Sequence, residues 1–250
     1  MSRSSRLRIT VGASVFGLLL PWWQPAGLST AAMAGTHSTS TGTLDGIVRI
    51  KGPTIPGPTP VQNTTDPAVC GLRQSLQDLM VSARTRGVQH VIVALTDVPA
   101  AGIPGAAPSR LVLDNVRCQF APHASVLNVG SVIEATNSDP ILHTTHLYGA
   151  SEANIPLPLK DMKVAYTVRK PGMIVVKCDL HGWMQAFVRV DDHPFHAVTD
   201  ASGRFRIGEV PSGRYVLEAW HEKLGIQRQT VQILAGSTTS LAIEYTYGGK

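Results

Sequence analysis

The sequence predicts an all-β protein, and three features carry that reading. Glycine (23) and proline (17) are abundant in a chain of 250 residues, which favours turns over long helices. Apolar residues recur in short runs or in alternation, each bounded by Gly, Pro, Asn or Asp. Heptads and internal repeats are absent. Hydrophobic residues reach 43% and charged residues only 16%, so the chain carries enough apolar surface to fold.

Residues 1–34 read as a secretory signal. Arg3, Arg6 and Arg8 form a basic start, Ile9 to Leu20 an apolar stretch, and Ala32-Met33-Ala34 a small-x-small cleavage pattern. The stretch is too short for a spanning helix, which needs about 17–25 residues, so no membrane span is expected in the mature chain. The formal charge of +5 falls to 19 bases against 17 acids, or +2, once those three arginines are removed. An excess that small gives no argument for a nucleic-acid partner. Export places the protein in the periplasm or outside the cell, where cysteines can pair.

Residues 35–43 are a polar linker. Gly46 to Ile50 reads as the first strand, followed by a proline-rich connection to Pro60. Leu72, Leu76 and Leu79 recur at helical spacing and predict one short helix. His90 to Leu95 is apolar on both faces, as a buried strand should be. Leu111 to Leu113, Phe120 to Val129, and Val132 to Ala135 continue the strand pattern. Val164, Tyr166 and Val168 alternate, Pro171-Gly172 turns the chain, and Met173 to Lys177 leads to a further strand at Ala186 to Val190. After Asp191-Asp192, read as solvated linker charges, turns at Asp200–Gly203 and Pro211–Gly213 separate alternating runs through Tyr245. The expected division is one unit over 44–191 and a smaller four- or five-stranded unit over 192–250.

Chemistry concentrates between two of these strands. Cys178-Asp-Leu-His181-Gly-Trp-Met184 brings a thiol, an imidazole and a thioether together within seven residues. A second loop, Asn137-Ser-Asp-Pro-Ile-Leu-His143-Thr-Thr-His146, also follows a strand. One histidine from it, His143 or His146, completes two imidazoles and a thiolate with a weak thioether. That is the donor set of a mononuclear blue-copper electron-transfer site. Zinc bound by His143, Cys178 and His181 is the alternative, since it has no need of Met184. Trp183 and Leu180 are candidates for the apolar shell.

The Cys-x-x-His-x-x-Met spacing, with an asparagine six residues before a His-x-x-His pair, resembles the amicyanin-like cupredoxins, relatives of plastocyanin and azurin. The resemblance covers residues 110–191 and, more loosely, 44–110. It implies a Greek-key β-sandwich binding copper as Cu+/Cu2+, with His143, Cys178, His181 and Met184 as ligands. It further implies that Asn137 ties the two ligand loops, and that Thr144 stands where many members have asparagine bonded to the cysteine loop. If Cys178 holds copper, Cys70 and Cys118 remain as an even pair for a disulfide. The motif from Thr199 through Gly203 to Leu217 resembles the carboxypeptidase regulatory-like (transthyretin-like) β-sandwich modules. The whole chain resembles two-module secreted proteins named for methylamine utilisation.

These readings predict a single-electron carrier, not an enzyme, working between redox proteins such as a dehydrogenase or a cytochrome. The electron is expected to leave by an exposed edge of His181 and the rim around Trp183. Copper storage, delivery or sensing is a second expectation, and an adhesion or carbohydrate-facing module a third. Motifs for serine hydrolases, nucleotide binding and zinc proteases are missing. His193, His196 and His221 offer a weaker candidate for a second metal site, and His123 is expected in a turn.

Overall fold

The computed structural model describes residues 40–52, 57–76, 78–99 and 107–247. The expected signal and the start of the linker lie outside them, while Thr41–Lys51 is already a strand. The architecture is all-β, as expected. The one α-helix among the described residues is the four-residue Pro67–Cys70.

Two sandwiches account for most strands. In one, a five-stranded sheet has the order Ala153–Leu157, His143–Gly149, Gly172–Lys177, Gln185–Asp191, Ala124–Asn128. It packs on a four-stranded sheet ordered Lys163–Thr167, Val132–Asn137, Arg110–Val116, Gln119–Ala121. Alternate residues of both sheets, among them Leu113, Ile133, Leu147, Ile174, Val176 and Val188, form one buried cluster. Burying each such side chain contributes about 1.5–3 kcal/mol.

The other sandwich departs from the expected division at residue 192. Its three-stranded sheet places Thr41–Lys51 between Arg204–Pro211 and Thr238–Thr246. Its four-stranded sheet runs His196–Val198, Ile92–Thr96, Gly213–His221, Gly225–Ile233. Two strands assigned from sequence to the first unit therefore stand inside the sheets of the second. Alternation reveals which face of a strand is buried, not which strand it joins. Leu44, Val48 and Ile50 are consequently packed with Phe205, Leu217, Ile233 and Tyr245.

Asp191 is not a solvated linker charge either. It is buried, and it pairs with Arg189 at 2.9 Å and His196 at 2.9 Å. Arg189 reaches on to Glu218 at 2.7 Å, and Phe187 meets Trp220 edge to face at 4.9 Å. Charges and rings together close the seam between the sandwiches.

The helix expected over Leu72, Leu76 and Leu79 is instead a strand, Arg73–Leu76, paired with Thr59–Gln62. Leu72 is exposed and Leu79 buried, so the three leucines never share a face. Cys70 and Cys118 form the disulfide. Closing a loop of that length contributes about 2–4 kcal/mol, and it fastens the segment around the short helix to the first sandwich.

Candidate metal centre

Cys178 to Met184 form the connection between two antiparallel strands whose last paired residues are Lys177 and Gln185. Met184 N–H donates to the His181 carbonyl at 2.8 Å, and Cys178 N–H to the Met184 carbonyl at 3.4 Å. Seven residues thus close on themselves and turn Cys178, His181 and Met184 inward. All three are buried. Leu180 points out to solvent and adds nothing to the apolar shell.

His143 opens the neighbouring strand, and its ring is fully buried. His146 lies three residues on, so strand alternation turns it to the opposite face. There its Nδ1–H donates to Asp179 at 2.9 Å, with the Tyr148 hydroxyl oxygen 2.8 Å from the same nitrogen. His143 is therefore the histidine of this loop that meets the cysteine. Its Nδ1 lies 3.8 Å from the Cys178 sulfur, and His181 Nδ1 lies 3.5 Å from it. The donor atoms of His143, Cys178 and His181 all fall within 4.8 Å of one another.

Each imidazole is oriented by a carboxylate that the sequence reading missed. His143 Nε2 donates to Asp139 Oδ2 at 3.0 Å, and His181 Nε2 to Asp66 Oδ2 at 3.2 Å. A carboxylate only accepts, so Nε2 carries the proton and the Nδ1 lone pair is left facing the sulfur. Asp139 also receives the N–H groups of Arg117 and Cys118, both at 2.8 Å. Those two residues have φ near +53° and +54° and form the two-residue hairpin turn that brings both N–H groups together. The available signal was that both acids directly precede a proline: Asp139-Pro140 within the quoted loop, and Asp66-Pro67 far upstream.

The loops that carry His143 and Cys178 are tied by Thr144, not by Asn137. Thr144 N–H points at the Cys178 sulfur at 3.4 Å, and its hydroxyl accepts from Asp179 N–H at 2.8 Å. Asn137 spends its side chain on the Ile141 carbonyl and Asp139 N–H of its own loop and on the Leu157 carbonyl at the end of the strand Ala153–Leu157. Trp183 stacks obliquely near His181, with ring centres 5.1 Å apart, and donates to the Cys118 carbonyl at 2.9 Å.

The expected exposed edge of His181 is closed. The ring is fully buried: the His143 and Trp183 rings lie beside it, and Asp66, from the segment held by the disulfide, occupies its Nε2 edge. Met184 instead borders a cavity of about 340 Å³ shared with Trp183, Phe187, Trp220 and the His123–Glu222 pair.

The electrostatics fit a cation. Burial opposes ionisation of Cys178, but its hydrogen bonding with the His143 and His181 rings, and with the backbone at Thr144 and Leu180, outweighs it and brings the thiol down to about 5. Burial also disfavours charge on His181, yet Cys178 and Asp66 raise its proton affinity. A single thiol proton cannot satisfy two nitrogen lone pairs and a sulfur at once. A metal ion among them would satisfy all three.

Of the remaining candidates, Cys118 near Asp139 and His143 is spent in the disulfide. His196 pairs with Asp191, and His221 Nδ1 accepts from Lys223 N–H, so they do not converge with His193 on a common point.

A family model described as polysaccharide lyase family 4, domain II, matches residues 169–241. No curated protein matches significantly. Among solved structures, a copper-containing nitrite reductase from Thermus scotoductus is 22% identical over 37% of this chain, with a TM-score of 0.30. The chain spans 25% of that reductase. A purple cupredoxin from Nitrosopumilus maritimus is 18% identical over 33% of this chain and 99% of its own, with a TM-score of 0.29. A Cu(I) form of an amicyanin variant is 20% identical over 40% of this chain and 98% of its own, with a TM-score of 0.29.

Proposed function

We propose that this chain is an exported copper protein that carries single electrons. His143, Cys178 and His181 would hold the ion and Met184 would approach as a weak fourth donor. The observation that carries this reading is the convergence of three buried donors within 4.8 Å, two of them imidazoles whose far nitrogens are already engaged by aspartates. When bound, copper would supply one-electron exchange between Cu+ and Cu2+.

The residues contribute rigidity. Asp139 and Asp66 fix both ring planes, Thr144 fixes the sulfur, and the apolar cluster around Cys178 and Met184 keeps water away. A site held in one geometry reorganises little when its charge changes, which favours transfer over catalysis. Enclosure of all three donors argues against metal delivery, which needs an incoming partner ligand to reach the ion. The second sandwich is read as a structural module that covers one side of the first. Redox proteins, among them dehydrogenases and cytochromes, are the partner class this reading implies.

Adding Cu(II) to the mature protein tests it. An intense visible thiolate-to-copper band, lost in Cys178→Ala, is the expected result. Tight but colourless binding, or a preference for zinc, would overturn electron transfer; no binding would overturn the metal site.

A further inference from the structure

One disulfide stands behind both histidines. Asp66 precedes the helix that ends in Cys70, and Cys70 is bonded to Cys118. Cys118 N–H donates to Asp139, whose carboxylate holds His143. Its carbonyl receives Trp183 Nε1–H from the loop that carries His181. Asp66, on the other arm of the bridge, holds His181.

Beyond the bridge and Asp66, the segment that covers His181 is held to the sandwich by polar contact, the Gln119 Nε2–H bond to the Ser75 carbonyl at 3.4 Å among it, and by few buried apolar side chains. The helix is four residues long, has no side-chain cap, and buries only Cys70. Leu72, just beyond it, is 70% exposed, and the Asp66 side chain is 42% exposed although its partner ring is wholly buried. Asn63 fastens the segment to itself through Gly71 and Leu72, not to the sandwich beneath. Segments with so few buried apolar contacts open locally once a cross-link is removed.

We propose that residues 63–76 form a redox-releasable cap over His181, with Asp66 as its positioning residue and Cys70–Cys118 as its latch. The inference rests on His181 being a metal ligand for its consequence, not for its test. An external dithiol would open the latch. The protein disulfide gains two electrons and two protons to become two thiols, and the dithiol loses the same and closes to its own disulfide. Asp66 then leaves Nε2, and the edge of His181 opens to solvent or to a partner. In the disulfide form, direct contact at that edge is shut off, so the cap decides when a partner can reach the centre through its histidine.

Metal-free full-length protein, modified with diethyl pyrocarbonate and mapped by mass spectrometry, tests this. Half-exposed His146 and enclosed His143 serve as internal references. With the disulfide intact, His181 should react about tenfold or more slowly than His146; after dithiothreitol it should approach the rate of His146, with His143 still protected. Asp66→Ala with the disulfide intact should also speed His181, and Asp66→Asn, which keeps an acceptor for Nε2–H, should restore protection. Circular dichroism monitors the fold in each case. If reduction unfolds the chain, the two Asp66 variants decide. His181 reacting as fast as His146 in the oxidised protein, or staying protected in Asp66→Ala, overturns the proposal. Failure of the copper reading leaves this measurement untouched, because no metal enters it.

Discussion

Thr144 N–H aims at the Cys178 sulfur from 3.4 Å, while the hydroxyl of the same residue accepts from the next residue of the cysteine loop, Asp179, at 2.8 Å. One residue therefore sets both the sulfur and the backbone that carries it. The two bonds separate under mutation. Thr144→Val keeps the N–H on the sulfur, strips Asp179 N–H of its acceptor and removes the hydroxyl's longer 3.9 Å contact with the sulfur, so stability should fall by about 1–2 kcal/mol. Thr144→Ser should restore it. Urea midpoints of the metal-free proteins measure the difference. If the chain binds copper as proposed, the visible band should keep its intensity in both, and its loss in Thr144→Val would show that the hydroxyl, not the N–H, governs the sulfur.

The inward clustering of Cys178, His181 and Met184 was legible because it is local. Cys178, His181 and Met184 share one loop, and a strand on either side fixes their direction. Of the carboxylates behind the histidines, Asp139 stands four residues before His143 in the same loop, whereas Asp66 reaches His181 across 115 positions and no periodicity records such a contact. Sheet membership was hidden for the same reason. Leu44, Val48 and Ile50 announce a buried face, but that the face belongs with Phe205 and Tyr245 is a property of the folded chain. The leucines at 72, 76 and 79 show the opposite failure: a helical spacing over a segment too short for its period to outweigh pairing with Thr59–Gln62.

The strand Thr41–Lys51 makes the C-terminal unit dependent on the N-terminus. Arg204–Pro211 and Thr238–Thr246 lie on its two sides and do not pair with each other. A fragment of residues 192–250 loses that central strand and also Ile92–Thr96. It should be unfolded, with a featureless far-ultraviolet circular dichroism spectrum and no cooperative melt. A sharp thermal transition in the isolated fragment would refute the interlocked arrangement.

Gly87 and Gly203 cross at backbone contact. A Cβ at Gly87 would stand 1.8 Å from the Ser202 carbonyl oxygen and 2.7 Å from Gly203 N, and Gly203 itself has φ of +80°. Neither neighbour is a flexible side chain that can swing aside. Gly87→Ala should therefore cost at least about 3 kcal/mol. Gly208→Ala, where a Cβ meets nothing within 4 Å, should change stability by less than about 0.5 kcal/mol. Denaturant midpoints compare the two, and equal losses would contradict the crossing.

Acid should weaken the fold through two histidines outside the candidate metal centre. Burial, with the nearby charge of His123 and His221, brings His90 down to about 4. Burial and His123 bring His221 to about 4 as well, with Asp78 and the Gln89 backbone opposing and Lys223 assisting. The unfolded chain takes up both protons near pH 6.5, the folded protein only near 4, so the stability these rings confer is complete above 6.5 and disappears as pH falls toward 4. The loss should be about 2–3 kcal/mol for each ring, less than additive because the groups sense one another. His90 is the cleaner test, since its Nδ1 is buried without a partner among the described residues. Its φ of +66° is one that asparagine tolerates. His90→Asn should therefore fold, and it should remove about half of the drop in urea midpoint between pH 7 and pH 4. A drop as steep as that of the unmodified chain would assign the acid sensitivity to other groups.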